Sequence, residues 1–264
     1  QYSQSDQEAK IVGDVANKYL DTIDNHASYT FAAKGCYNDS LNPIPICTCY
    51  DLNKTRLNVD SNHTLQNNID FERCMDVFWD AGWTSGRGWN PIGSLSAAYN
   101  ATFDGDKFVL HGLYTNRPVL GDGGAGLFNY AYGQYAIIKD LHLAQVYVRG
   151  NVTTGGLVSA ATDLVHNVTI RNVGLSGTVI GDTNTGGFIG YGYWSEIVNS
   201  YTTGSVSGNH DVGGLIGWGP YAYSYNSYSE SSVYGSDDVG GLIGYAGEAT
   251  ITNSYATGSV TGYD

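Results

Sequence analysis

The stretch "VGGLIGW" at 212–218 returns as "VGGLIGY" at 239–245, and a variant, "TGGFIGY", stands at 185–191. The three copies are 27 residues apart, and each contains two adjacent glycines followed by two apolar residues. A fixed short period is the signature of a repeat protein, in which each unit packs on its neighbours. The repeat therefore decides the fold.

Other markers show that the repeat extends further back along the chain. "AGLF" at 125–128 and "GGLV" at 155–158 occupy the place of the glycine-pair motif in two earlier copies. A ladder of stacked side chains is predicted at Asn172, Asn199, Asn226 and Asn253, with Asp140 in the equivalent place one repeat earlier. The chain thus contains at least five repeats of 27–31 residues.

Each repeat contains short alternating runs, such as "GGLIGY" and "GSVTG", which are separated by turn residues. This pattern predicts an all-β fold, a right-handed parallel β-helix of about five to six coils, because propeller blades are longer and leucine-rich repeats space their leucines differently. The predicted interior rows are Leu127, Leu157, Phe188, Leu215 and Leu242; Val148, Val179, Val206, Val233 and Val260; Ile138, Ile170, Ile197 and Ile251; and an aromatic ladder of Tyr201, Tyr228 and Tyr255. Ser224 stands in the isoleucine row and predicts a local irregularity.

The chain divides into three predicted regions. Residues 1–30 contain an amphipathic helix at about 5–24, which Ser5 and Glu8 open as a capping box. Residues 31–88 form a small cap that holds all four cysteines, and residues 89–264 form the β-helix.

The cysteines are Cys36, Cys47, Cys49 and Cys74. A Cys47–Cys49 bond is disfavoured, because residues two apart in an extended chain point the same way. The spacing favours Cys36–Cys47 with Cys49–Cys74 and leaves Cys36–Cys49 with Cys47–Cys74 as the alternative. A zinc site is the other interpretation, but 10, 1 and 24 intervening residues do not match a zinc knuckle.

The even number of cysteines and six Asn-x-Ser/Thr triplets indicate an extracellular glycoprotein. The triplets begin at Asn38, Asn53, Asn62, Asn100, Asn151 and Asn167, and some such triplets arise by chance. No apolar run is long enough for a membrane span, and the first residues lack a signal-peptide pattern. We therefore expect a mature or truncated product.

The charge distribution excludes some partners. The formal net charge is −13, and no Lys or Arg follows Arg171, whereas eight acidic residues do. Such a surface repels phosphate backbones and anionic lipid headgroups, so nucleic-acid binding is not expected.

Many β-helices cleave polysaccharides with carboxylates or basic residues in a groove. The candidates are Asp104, Asp106, Lys107, His111, Asp140 and His142. However, "FDGD" at 103–106 is typical of a tight turn, and Asp140 has a place in the ladder. We therefore predict that the protein is not an enzyme and keep a polysaccharide-active enzyme as the alternative.

Two further patterns concern ligands. Asp211 and Asp238 align with Asn184 before the glycine pairs, and stacked carboxylates repel unless a cation such as calcium bridges them. Solvated turn residues explain them more simply, and no other cofactor is predicted. The stretch "WGPYAYSYNSY" at 218–228 offers aromatic platforms for sugar rings, as in a carbohydrate-binding module, or packs under a neighbouring subunit or glycan.

The unit "VGGLIGY…ITNSYATGSVTG" resembles the GLUG motif. "GWNPIG…NATFDGDKFVLHGLYTNRP…AGLF" at 88–128 and "CTCYDLNKTRLNVDSNHTLQNNIDF" are similar to the segments that precede such repeats in large bacterial and archaeal surface proteins, so the resemblance covers about 46–264. It implies an adhesin-like surface scaffold. The motif also occurs as an accessory part of immunoglobulin A proteases, but His-Glu-x-x-His is absent here.

Together these patterns predict a structural or adhesive rod of a cell-surface filament, surface layer or adhesin. The sequence closes with "GSVTGYD", the strand of a regular coil without a polar cap. We therefore expect either further coils or head-to-tail self-association. Surface glycans are the other candidate partner.

Overall fold

The computed structural model describes residues 35–74, 86–121, 123–162 and 168–263. The helix predicted at 5–24 and the triplet at Asn167 lie outside these ranges. The first range contains β1 (Ile44–Ile46), α1 (Cys49–Lys54), a 3-10 helix (Thr55–Leu57), β2 (His63–Leu65), β3 (Ile69–Asp70) and α2 (Phe71–Cys74).

The remaining described residues form strands. Residues 86–162 contain β4 (Thr102–Asp104), β5 (Val109–His111), β6 (Tyr114–Asn116), β7 (Phe128–Tyr132), β8 (Ile137–Arg149), β9 (Thr154–Gly155) and β10 (Val158–Thr162). Residues 168–263 contain β11 (Val168–Ile180), β12 (Thr183–Gly186), β13 (Ile189–Tyr193), β14 (Ser195–Val198), β15 (Tyr201–Ser207), β16 (His210–Gly213), β17 (Ile216–Trp218), β18 (Tyr223–Tyr225), β19 (Tyr228–Ser229), β20 (Ser232–Gly235), β21 (Asp237–Gly240), β22 (Ile243–Tyr245), β23 (Thr250–Thr252), β24 (Tyr255–Ala256) and β25 (Val260–Gly262).

The described chain is nearly all β, and its strands pair in parallel across three sheets. One sheet has 16 strands, among them β1, β2, β4, β8, β11, β14, β18 and β23 in this order. A second contains β7, β10, β13, β17 and β22, and a third contains β9, β12, β16 and β21. From β9 onwards each repeat adds one strand to the second sheet, one to the third and between one and three to the large sheet, so successive repeats stack as coils.

The predicted rows are in register. Val179 pairs with Val148 and Val206, and Val233 pairs with Val206 and Val260. The expected irregularity at Ser224 is wrong, because Ser224 pairs regularly with Ile197 and Ile251. Its hydroxyl lies 3.1 Å from that of Ser254, and this bond satisfies a buried polar group in an otherwise apolar row.

The glycine pair marks the closest approach of the backbone to itself. A Cβ at Gly213 would lie 1.9 Å from the carbonyl oxygen of Ile216 in the same coil. A Cβ at Gly214 would lie 2.1 Å from the carbonyl oxygen of Gly241 in the next coil. Both contacts are far inside van der Waals distance, so neither Gly213 nor Gly214 has room for a side chain.

The aromatic ladder is buried except at its end. The rings of Tyr201 and Tyr228 stack at 5.2 Å, and those of Tyr228 and Tyr255 stack at 5.1 Å. Tyr201 and Tyr228 are buried, whereas Tyr255 lies on the last described coil and is exposed. Offset stacking of such rings stabilises the row beyond the burial of its area.

Two disulfides and the carboxylate of Asp51 cross-link the region before residue 89. Cys36 is bonded to Cys47, and Cys49 is bonded to Cys74, the pairing that the spacing favours. The buried Asp51 accepts hydrogen bonds from the backbone N–H groups of Cys36 and Cys47 at 3.0 and 3.1 Å. The strands β1 and β2 continue the sheet of β4, so the sheet does not break between residues 88 and 89. Within the described ranges, no helix has both the length and the apolar character to cross a membrane.

Candidate functional surfaces

The asparagine ladder joins four coils. Nδ2 of Asn172 donates to Oδ1 of Asp140 at 2.9 Å, Asn199 donates to Asn172 at 3.3 Å, and Asn226 donates to Asn199 at 3.3 Å. All of these residues have a positive φ of 47–55°. Asn and Asp tolerate this left-handed conformation better than other side chains, so the turn geometry explains their recurrence.

Asp104 and Asp140, two of the candidate catalytic acids, are bound by the same lysine. Both carboxylates accept from the ammonium of Lys139, and Asp140 also accepts from Asn172. Burial alone would raise the pKa of Asp140, but the hydrogen bonds from Asn172 and Lys139 outweigh it and hold that pKa below its ordinary value. A carboxyl that stays ionised in this way is poorly suited to act as a general acid.

The other catalytic candidates have different environments. Asp106 and Lys107 are exposed at positive φ in the turn between β4 and β5, which agrees with the turn predicted from "FDGD". His111 lies 3.7 Å from Asp70, and the buried His142 lies 3.3 Å from the hydroxyl of Tyr201. Burial lowers the pKa of His142 to about 4. Asp104 and Asp140 thus share Lys139, whereas His111 and His142 each contact a different residue.

Asp211 and Asp238 occupy equivalent positions within β16 and β21 rather than the turns predicted for them, and both have a φ near 50°, as Asn184 does in β12. Burial and then the charge of Asp238 raise the pKa of Asp211. In the part of the chain that is described, the group whose ligand atoms come close enough to hold a metal is Cys36, Cys47 and Asp51. Its two cysteines are joined in a disulfide, which also leaves no thiolate for zinc.

The glycosylation triplets differ in accessibility. Asn38 is exposed, and its Oδ1 accepts from Ser40 of the same triplet. Asn53 accepts from Arg56, and Asn62 accepts from the N–H of Thr102. Nδ2 of Asn151, the atom that would carry a glycan, donates to the carbonyl oxygen of Pro118 at 3.2 Å. Asn100 is the remaining triplet that the structure describes, and its Oδ1 is buried without a hydrogen bond.

One surface that the sequence prediction only partly identified is the aromatic face, defined as Tyr191, Tyr193, Trp194, Trp218, Tyr221 and Tyr245. Tyr191, Trp218 and Tyr245 pair across β13, β17 and β22, and their ring centroids are 4.4 and 5.8 Å apart. Tyr191, Trp218 and Tyr245 are 27 residues apart, and each is the last residue of a glycine-pair motif such as "VGGLIGW". The motif itself therefore predicts this aromatic row.

The geometry of this face limits what it can bind. The rings of Tyr191, Trp218 and Tyr245 are nearly parallel, with interplanar angles of 19° and 9°, so they cover one another's faces. Sugars stack on ring faces, and the faces that Tyr191, Trp218 and Tyr245 turn towards one another are occupied by the neighbouring ring. The aromatic residues predicted to cluster at 218–228 do not form one surface. Trp218 lies in the second sheet, Tyr223 and Tyr225 lie in the large sheet, and Tyr228 belongs to the buried aromatic ladder.

The last described coil exposes the members of rows that are buried elsewhere. Ile251 and Val260 are 47% and 46% exposed, whereas Ile197 and Val233 are fully buried. The strands β21–β25 pair on one side only. We call the side chains Ile251, Tyr255 and Val260, together with this unpaired edge, the terminal face.

The opposite edge of the large sheet has a different character. In β1 the N–H of Ile44 and the carbonyl of Ile46 point to the β2 side, where they bond to the chain around β2. Pro45 between them faces the free edge and has no N–H to offer a further strand. Among the described residues, β1 thus presents a proline on the side away from β2, whereas the last strands keep their N–H groups.

Stacked parallel sheets with in-register rows and a repeated glycine corner define a β-repeat protein. Residues 235–261 match the family model of the GLUG motif. A stretch of 175 residues, 66% of the chain, is 28% identical to halomucin from Haloquadratum walsbyi, and it spans 2% of that protein's length.

A solved structure supports the fold. The chain resembles a candidate immunoglobulin A1 protease from Bacteroides ovatus with a TM-score of 0.56. The match covers 86% of this chain and 78% of the other at 21% identity. At this identity the likeness concerns the fold alone.

Proposed function

We propose that the chain is a right-handed parallel β-helical rod of a non-enzymatic, extracellular structural or adhesive glycoprotein, part of a cell-surface filament, surface layer or adhesin. Rows that repeat every 27 residues support a rigid rod, because each coil needs contacts only with its neighbours. The two disulfides favour an extracellular location. The GLUG motif and the relative whose name marks it as a mucin favour a surface glycoprotein.

The observation that supports an assembling role is the exposed apolar row on the terminal face. The terminal face offers apolar side chains and free backbone groups, which favour pairing with another polypeptide. Pro45 disfavours a continuous sheet across β1. In this proposal a neighbouring copy packs apolar side chains on the terminal face, and the amphipathic pattern of residues 5–24 would supply them head to tail.

Sedimentation velocity and electron microscopy over a concentration series would test this assembly. We expect open-ended growth that Val260→Asp and Ile251→Asp abolish, because each places a charge in the contact. Val152→Asp is the matched control, since Val152 is equally exposed at 46% but lies away from the terminal face. Growth that stops at a dimer would contradict the head-to-tail arrangement, and a monomer at every concentration would contradict self-association.

A catalytic role as a polysaccharide-active enzyme is the alternative, and a glycan-degradation screen with and without calcium tests it. The partners of Asp104, Asp140 and His142 favour structural roles, so we expect no turnover. Turnover that is lost in Asp140→Ala, with the fold retained, would contradict the non-enzymatic proposal.

Glycosylation of the native protein is tested by mass spectrometry of peptides. We expect a glycan at the exposed Asn38 and none at Asn151, whose amide nitrogen is already bonded. Asn38→Gln is the control for the assignment. Material that carries no glycan at any triplet would contradict the glycoprotein part of the proposal.

A further inference from the structure

A cleft of about 470 Å³ lies where the 3-10 helix meets the loop before β4. Its lining includes Arg56, Leu57, Asn90, Ser94, Gly124 and Asn129. This volume is within the range of small-ligand sites and accommodates one or two sugar residues. The cleft contains none of the candidate catalytic residues.

Arg56 provides the positive charge of the cleft. Its guanidinium lies 5.3 Å from the ring centroid of Trp89. Nε donates to the backbone and side-chain oxygens of Asn53 at 2.9 and 3.0 Å, and Nη2 donates to the carbonyl oxygen of Asn90 at 2.8 Å. These acceptors are neutral, so they fix the orientation of the guanidinium but leave its charge uncompensated.

The electrostatic surroundings of Arg56 favour an anion. Across the residues that the structure describes, no carboxylate lies within 4.0 Å of its guanidinium. Burial and then the positive charge of Arg117 lower the pKa of Arg56 to about 10, which still leaves the group protonated at neutral pH. A partly buried cation whose acceptors are neutral is stabilised when an anion pairs with it, because charge-assisted hydrogen bonds are the stronger ones.

The other lining groups suit a hydroxylated ligand. Oδ1 of Asn129 accepts from the N–H of Gly124 at 3.1 Å, which fixes the amide and leaves Nδ2 as a donor. Ser94 adds a hydroxyl, and the exposed side chain of Leu57 adds an apolar surface beside these polar groups. A carboxylate, several hydroxyls and a C–H face occur together in a uronic acid.

We propose that this cleft binds a uronic acid residue of an acidic polysaccharide, with the carboxylate on Arg56 and a hydroxyl on Asn129. Binding is confined to this end of the chain, because no Lys or Arg follows Arg171. The site does not depend on the terminal face, so failure of self-association would leave it unaffected.

Calorimetric titration with a short oligouronide and with the neutral oligosaccharide of the same linkage would test the site. We expect the oligouronide to bind more tightly and to weaken with added salt. Asn129→Asp keeps the acceptor for Gly124 but replaces the donor with a negative charge, and it should weaken binding about 10-fold or more. Arg56→Gln should abolish the preference for the acidic sugar.

Arg149→Gln, which removes an exposed arginine elsewhere, is the control and should bind as the native chain does. Unfolding midpoints of all three variants show whether each is folded, and Asn129→Asp is designed to remain so. Equal binding of the neutral sugar, or oligouronide binding that survives both Asn129→Asp and Arg56→Gln, would overturn the proposal.

Discussion

The hydroxyl of Tyr201 lies 3.3 Å from Nδ1 of His142, across the backbone of Gly174. Gly174 pairs with His142 on one side and with Tyr201 on the other, so the three residues share a row of the large sheet. Because position 174 has no side chain, the tyrosine ring reaches the histidine two coils away. The aromatic ladder therefore ends in a buried polar contact.

Replacement of Gly174 by Ala should break this arrangement. The new Cβ would lie 2.5 Å from Nδ1 of His142 and 2.6 Å from Cζ of Tyr201. We expect a loss of about 2 kcal/mol in the free energy of unfolding, measured by urea denaturation. Gly262→Ala is the matched control, because its Cβ would be 3.9 Å from the nearest atom. Equal effects of the two substitutions would contradict the contact.

The buried histidines should make stability fall in acid. Burial lowers the pKa of His142 and of His63 from 6.5 to about 4. The folded state therefore favours the neutral rings, so this stabilisation is complete above pH 6.5 and is lost as the pH falls towards 4. We expect each histidine to contribute about 3 kcal/mol of this loss.

Urea denaturation at a series of pH values would measure the effect. The slope of the unfolding free energy against pH gives the number of protons taken up on unfolding. His142→Phe and His63→Phe should each reduce that number by about one, whatever they do to stability at pH 7. An unchanged slope in either variant would show that the histidine is protonated in the folded state.

The asparagine ladder combines backbone conformation with side-chain bonding, and two substitutions separate them. Asn199 has a φ of 48° and bonds to both Asn172 and Asn226. Asn199→Gly keeps the conformation and loses the side-chain bonds, which we expect to cost about 1 kcal/mol. Asn199→Ala also strains the backbone and should cost about 1 kcal/mol more in thermal or urea unfolding. Equal losses would indicate that conformation does not select asparagine here.

The repeat made much of the core predictable. Once Val206 and Val233 are known to be one period apart, parallel pairing places them side by side. The error at Ser224 came from treating the row as purely apolar, whereas the hydroxyl of Ser254 satisfies the buried serine. The row of Tyr191, Trp218 and Tyr245 could have been predicted from the same period.

Other contacts could not be predicted because they do not follow the period. Arg56 reaches Trp89 from a region without a repeat, and only the folded chain brings them together. Tyr201 and His142 are 59 residues apart, and their contact depends on the missing side chain of Gly174. Sequence periodicity therefore predicts the coils but not the junction that contains the cleft.

The stacked acids at Asp211 and Asp238 should destabilise the folded state at neutral pH. Burial and the charge of Asp238 raise the pKa of Asp211, so its favourable contribution is present in acid and is lost as the pH rises through the folded pKa. Asp238→Asn removes the charge and keeps a side chain that tolerates a φ of 49°. We expect a gain of about 0.5 kcal/mol at pH 7 and none at about pH 3.

Added calcium tests whether a cation bridges the carboxylates of Asp211 and Asp238. If the two carboxylates only repel, about 1 mM calcium should shift the unfolding midpoint of the native chain and of Asp238→Asn equally. A calcium-dependent rise in the native chain that is lost in the variant would instead show that a cation bridges them.

The same substitution, Val→Ala, can be made at a buried and at an exposed position of the valine row, and the comparison tests whether a partner covers the terminal face. Val206 is 1% exposed and Val260 is 46% exposed, although both occupy the same place in their coils. Val206→Ala should lower the free energy of unfolding by about 2 kcal/mol at any protein concentration, because it removes buried methyl groups. Val260→Ala should have little effect in dilute solution and a growing effect as the concentration rises, since association then buries its side chain. Urea denaturation at low and high protein concentration distinguishes the two, and a Val260→Ala effect that is independent of concentration would place no partner on the terminal face.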